Sequence, residues 1–138
     1  MLKEDLKLAK RILNERRLSL VIVKNGTVLY ESSASGIVDL VKAVISLKHK
    51  MWESSVADKV VGKAAALLLA YSKVKGVFAE VLSESGLRVL AENNIEFEFK
   101  KLVPVILDRE KRTVCPFERL TLRVQSSEEA YRILRSLV

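Results

Sequence analysis

Four successive aliphatic residues, Leu20-Val21-Ile22-Val23, constrain this chain more than any other stretch. Neighbouring side chains of a strand point to opposite faces, so such a run is stable only where apolar layers cover the sheet on both sides. Asn25-Gly26 follows directly. That pair suits a two-residue turn in which both residues need positive φ. The spacing predicts a β-hairpin, 18–24 with 27–32, in a sheet sandwiched between helices.

The flanking periodicity supplies those helices. Leu6, Ala9, Ile12 and Leu13 recur at helical spacing and predict an amphipathic helix over 3–16. Ile37, Leu40, Val41, Val44 and Leu47 predict a second, ending near 48–50. Trp52 then opens a connection. Asp58 reads as the N-cap of a third helix, whose apolar residues from Val60 to Tyr71 surround nearly its whole circumference. Gly62, inside that stretch, costs about 1 kcal/mol against alanine, which points to a close approach by backbone or ligand at that turn. Gly76 ends the helix, and 77–82 reads as a strand. A short helix from Ser83–Ser85 through Ala91 and a strand over 95–102 complete a β-α-β unit. Pro104-Val105-Ile106-Leu107 reads as a further short strand. Helices over about 116–123 and 127–138 close the chain, with 121–124 a strand in the alternative reading. The expected fold is a single α/β domain over 1–138: a three-layer α/β/α sandwich on a mixed sheet of about five strands.

Composition narrows the function classes. The chain has 138 residues, 49% of them hydrophobic and 30% charged, and its longest uncharged run, Ala64 to Ser72, is far short of a membrane span of ~20 residues. The opening residues Met1-Leu2-Lys3-Glu4-Asp5 alternate charge with apolar groups instead of building a signal core, which leads us to expect a cytoplasmic protein. The single cysteine agrees with a reducing compartment. Lysine and arginine exceed the acids by 24 to 17, a formal net charge of +7. The basic residues are spread over helix surfaces among acids, and no basic run is interleaved with aromatics as a stacking platform for nucleic acid would be. Nucleic acid is therefore not the expected partner, and a small anionic or nucleotide-like ligand is.

Several residues carry possible chemistry. Cys115 opens the helix start Cys115-Pro116-Phe117-Glu118, with Lys111 and Arg112 just upstream; a helix N-terminus and nearby positive charge both favour a thiolate. Free cysteine is as often a small buried hydrophobe. Glu118, three positions on, can bond back to the cap backbone, a sufficient structural role, and it also lies within a turn of the thiol. Lys63 is the one charge between Val60 and Ser72, so it either snorkels to solvent or faces a cleft where it can bind phosphate or carboxylate. Arg109 ends a strand beside a loop, the usual place for ligand groups in open α/β sheets. His49, within Lys48-His49-Lys50, reads as a solvated helix end.

The motifs Ser35-Gly36-Ile37, Asp58-Lys59-Val60-Val61-Gly62-Lys63-Ala64-Ala65, Leu107-Asp108-Arg109 and Cys115-Pro116-Phe117-Glu118, in this order of elements, resemble a small bacterial and archaeal family of unknown function with a cytidine-deaminase-like fold. The resemblance covers nearly the whole chain. It implies the α/β/α architecture and a pocket near the helix starts at Asp58 and Cys115, with no established activity. Read from the residues themselves, Asp58, Lys63 and Cys115 are catalytic candidates and Gly36, Gly62, Ser85, Arg109 and Glu118 ligand-binding ones. Zinc deaminases place a histidine or cysteine at the start of the helix after the hairpin, a glutamate two residues on, and two cysteines at the next helix start. Here Asp58 or Lys63 stands at the first position and Ser83-Glu84-Ser85 at the second. With one histidine and one cysteine in the chain, nitrogen and sulfur cannot supply three zinc ligands. No metal or other cofactor is expected. Three readings remain: thiol chemistry on a small anionic ligand, a noncatalytic ligand-binding or protein-interaction module, and nucleic-acid binding through the net charge.

Overall fold

Strand β1, Leu20–Lys24, is buried on both faces, as four successive aliphatic residues require. The computed structural model describes residues 2–34, 36–107 and 113–138. Beside β1 lie β2 (Thr27–Ser32), β3 (Ser55–Val61), β4 (Gly76–Ser83) and β5 (Glu96–Val103), in the sheet order β2-β1-β3-β4-β5. β1 runs antiparallel to β2 and β3, whereas β3, β4 and β5 are parallel. The helices are α1 (Leu2–Glu15), α2 (Val38–Leu47), α3 (Lys63–Tyr71), α4 (Glu84–Glu92), α5 (Pro116–Leu120) and α6 (Ser127–Arg135), with a 3-10 turn, Lys48–Met51, after α2.

Alternation along the strands divides the apolar groups into two cores. Val21, Val23, Ala57 and Phe78 meet Leu6, Ala9, Ile12 and Leu13 of α1. Leu20, Ile22, Val56, Val77 and Ala79 point the other way, onto α2, α3, α4 and α6. Three layers result. The all-round apolar character of α3 has the same cause, since Ala64 through Leu69 are all buried between the sheet and the other helices of its layer.

β3 departs from the sequence expectation. Residues 55–61 form the central strand, where periodicity predicted a connection and a helix start. Val56, Val60 and Val61 continue the helical pattern of the residues after them, but β-branched side chains favour a pleated surface, and Gly62 marks the change of period. Asp58 is thus a mid-strand residue, not the cap of α3, and Gly62 is the cap, not an interior residue. Residues 104–107 add no strand to the sheet; Leu107 makes only an isolated antiparallel bridge with Val114. Residues 121–123 are a turn after the five-residue α5.

A side chain distant in sequence fixes the hairpin tip. Asp5 of α1 is buried, and its carboxylate accepts from the N–H groups of Asn25 and Gly26, each at 2.9 Å. Asn25 and Gly26 have φ of 51° and 78°, as the primed turn demands. Hydrogen bonds to a charged group are the strong ones, so this clip ties α1 to the strands it covers. Replacing it, as Asp5→Ala, is expected to cost about 2 kcal/mol in urea unfolding with an unchanged denaturant slope; an unchanged midpoint would show that the clip contributes nothing.

Candidate functional site

The carboxyl ends of the parallel strands lead directly into helices, β3 through Gly62 into α3 and β4 through Ser83 into α4. Helix starts leave backbone N–H groups without intrahelical partners. At α4 the Ser83 hydroxyl satisfies one, accepting from the Gly86 N–H at 3.0 Å. At α3 the cap residue has no side chain, and the group that serves is Glu118 of α5. Its carboxylate accepts from Lys63 N–H at 3.0 Å and Ala64 N–H at 3.2 Å. A negative group suits the positive end of a helix dipole.

This arrangement accounts for Gly62. Its φ is −103°, ordinary extended backbone, so glycine is there for space and not for conformation. A Cβ at this position would overlap Glu118 Oε1 and come within 2.6 Å of the carboxyl carbon and 3.0 Å of Ile106 Cγ1. The close approach that glycine signalled in the sequence is made by this chain's own carboxylate. Glu118 is buried, and burial pushes its carboxyl up from the usual range, opposed by the N–H groups of Ala64 and Lys63 and by the Lys63 charge. Lys63 is engaged too: its ammonium, at an exposed position, donates to the Leu122 carbonyl at 2.9 Å.

The other sequence candidates gather nearby to different degrees. A Cβ on Gly86 would lie 3.0 Å from the Val61 carbonyl and 3.1 Å from that of Gly62, so the starts of α3 and α4 lie side by side. Ser85 is half-buried, its hydroxyl 3.2 Å from that of Ser83. Cys115 is half-buried at the start of α5, and its N–H donates at 2.9 Å to the carbonyl of Ile106, the residue that touches Gly62. Gly36 is exposed with φ of 100°, and a side chain there would meet nothing within 4 Å. Arg109, with Lys111 and Arg112, lies outside the described residues.

Asp58 faces the helical layer opposite α1, in register with Leu20 and Ala79. Burial pushes its carboxyl from 3.8 up to about 7, against the pull of hydrogen bonds from the Val60 and Lys59 backbone. A carboxyl titrating there can exchange protons at neutral pH, the property a general acid or base needs.

Two open hollows lie at the opposite, amino ends of the parallel strands. One, of about 360 Å³, is lined by Lys48, His49, Trp52, Tyr71, Lys73 and Tyr131, among others. The second, of about 680 Å³, shares His49, Trp52 and Lys73 and adds Lys24, Lys75 and Asn94. Neither is lined by Asp58, Lys63, Cys115 or Glu118. In the sequence Trp52 reads only as the start of a connection, although a lone tryptophan two residues after Lys48-His49-Lys50 is the available signal.

The profile of a domain of unknown function, DUF1893 (TM1506), matches residues 8–138. The chain belongs to the DUF1893 family. A crystal structure of a DUF1893 family protein from Thermotoga maritima is 34% identical, covering 99% of this chain and 91% of that one, with a TM-score of 0.83. RibD from Acinetobacter baumannii superposes with a TM-score of 0.54 at 16% identity, over 72% of this chain and 36% of that one. A dCMP deaminase from the cyanophage S-TIM5, solved with dCMP and dUMP, gives 0.50 at 14% identity, over 70% of this chain and 94% of the phage enzyme. These last two share the fold. No curated protein matches.

The DUF1893 chain thus has the deaminase architecture with other residues at its helix starts. α3 begins Gly62-Lys63-Ala64-Ala65, which holds neither a histidine nor a carboxylate, and α4 begins Ser83-Glu84-Ser85-Gly86, which holds no cysteine. Among the described residues no three of His, Cys, Asp and Glu are grouped to hold a metal ion. His49 and Cys115, the one histidine and the one cysteine, stand at opposite ends of the sheet.

Two measurements check this geometry. Gly62→Ala and Glu118→Ala should each lower stability by about 2 kcal/mol, and the double variant by clearly less than their sum, because either change removes the carboxylate from α3; full additivity would mean that the two residues act independently. Asp58 gives the second. Its folded-state pKa lies above the unfolded value, so between about pH 4 and 7 the folded chain keeps a proton that the unfolded chain releases. Stability from this group is complete below that window and is lost as pH rises through it. In urea titrations Asp58→Asn should therefore gain on the wild type from pH 4 to 7; a pH-independent difference would contradict the assignment.

Proposed function

We propose that this chain is a noncatalytic binding protein on a deaminase fold, one that takes up a small anionic or nucleotide-like ligand without deaminating it through zinc-held water. The observation that carries this reading is the occupied start of α3. Where the fold's zinc enzymes need a ligand and a proton-transferring carboxylate, this chain has glycine, and the helix end is bonded to Glu118. Lys63, the other charged group at that point, is bonded to the Leu122 carbonyl. Both side chains therefore have structural work that a ligand would have to displace. The hollows at the other end of the sheet offer what an anionic aromatic ligand requires, namely lysines and an exposed indole.

Thiol chemistry at Cys115 is the competing reading. The two are separated by a melting screen against mono- and dinucleotides and sugar phosphates. A specific ligand should raise the melting temperature by mass action, and Cys115→Ala should show the same shift. Metal analysis after dialysis against zinc, together with cytidine and dCMP turnover assays, should find neither stoichiometric zinc nor product. Zinc-dependent turnover, or a ligand response that vanishes in Cys115→Ala, would overturn the proposal.

A further inference from the structure

The lysines scattered along the sequence are not scattered in space around Trp52. Lys24 comes from the end of β1, Lys48 from the 3-10 turn, and Lys73 and Lys75 from the connection between α3 and β4, yet all four line the two hollows. Among the described residues only two carboxylates, Glu53 and Glu128, line them as well. Trp52 lies on the partition between the hollows, since it lines both, and 48% of its surface is open to solvent. Its ring is oriented: the His49 imidazole meets it edge-on with centroids 6.1 Å apart, and the Lys73 ammonium lies 4.7 Å from its centre. Exposing a tryptophan forgoes a large apolar burial, while an indole ringed by cations suits a nucleobase with phosphates beside it.

We propose that Trp52 and the lysines of the two hollows form a binding site for single-stranded nucleic acid. A base stacks on the indole, and the backbone crosses from one hollow to the other past Lys48, Lys73, Lys75 and Lys24. The continuity of two hollows across one indole, with basic groups on both sides, favours a strand of several nucleotides over a lone nucleotide. The folded chain thereby assembles the aromatic and basic platform that no single stretch of sequence contains. This inference rests on the reading of the chain as a binding protein whose ligand meets these hollows, and it deepens that reading by naming the ligand class.

Trp52 is the only tryptophan in the chain, so its fluorescence reports on this site alone. The experiment titrates the intact protein with eight-nucleotide oligo-dT and oligo-rU, with thymidine and uridine monophosphate in parallel arms. The oligonucleotides should quench the emission, with a log–log salt slope of about −2 to −3 for four lysine–phosphate contacts on a single strand. Against a labelled oligonucleotide, followed by anisotropy, Trp52→Ala should lose roughly ten-fold in affinity or more, and Trp52→Phe should retain most of it. Lys73→Ala should flatten the salt slope. Quenching by the monophosphates with affinity equal to that of the oligonucleotides would overturn the strand assignment while leaving the binding-protein reading intact. Absence of quenching by either oligonucleotide would overturn the site altogether. Zinc-dependent deamination would instead count against the noncatalytic binding reading.

Discussion

The contact on which this account turns is the Glu118 carboxylate seated on the first two N–H groups of α3. It links α5, late in the chain, to the helix that runs through the middle of the structure, and it fits only because residue 62 has no side chain. A carboxylate that leaves water needs donors and a favourable potential, and the start of an apolar helix provides both. In satisfying α3, the chain uses up the helix end that deaminase chemistry requires.

The consequence is a molecule whose two sheet ends differ in kind. At the carboxyl ends of the parallel strands, close packing of Gly62 against Gly86, the Ser83 cap and the Lys63–Leu122 bond leave the polar groups engaged with one another. At the amino ends, loops from four parts of the chain surround open volume with cations and aromatic rings. Open α/β sheets generally place ligands at the carboxyl ends, and the zinc deaminases follow that rule. Among the described residues, the hollows lined by lysines and aromatic rings lie at the other end.

Much of the fold was readable from local pattern. The doubly buried β1, the Asn25-Gly26 turn and the α1 stripe each rest on signals within a dozen residues, and the β4-α4-β5 unit on three such local signals in succession. β3 was not readable, because Val60 and Val61 join smoothly to the apolar series of α3 and disguise a change of period. That single misplacement moved Asp58 from a strand to a helix cap. The importance of Gly62 was visible as an unexplained helix glycine, but its partner lies 56 positions away in Glu118 and leaves no local trace. The Trp52 platform failed to show for the same reason, since its lysines converge only through sheet order and loop placement. Asp5 on the hairpin tip is a third case: its role depends on α1 lying over β1.

Backbone amide NMR mapping tests the central claim most directly, because it compares both ends of the sheet in one experiment. On addition of an octanucleotide, the account predicts shifts confined to residues around Lys24 and around 48–53, 73–75 and 93–95, with the amides of Gly62, Lys63, Ala64 and Gly86 unmoved. Shifts centred on those four amides and Cys115 would contradict it, and would return the ligand to the carboxyl ends of the strands.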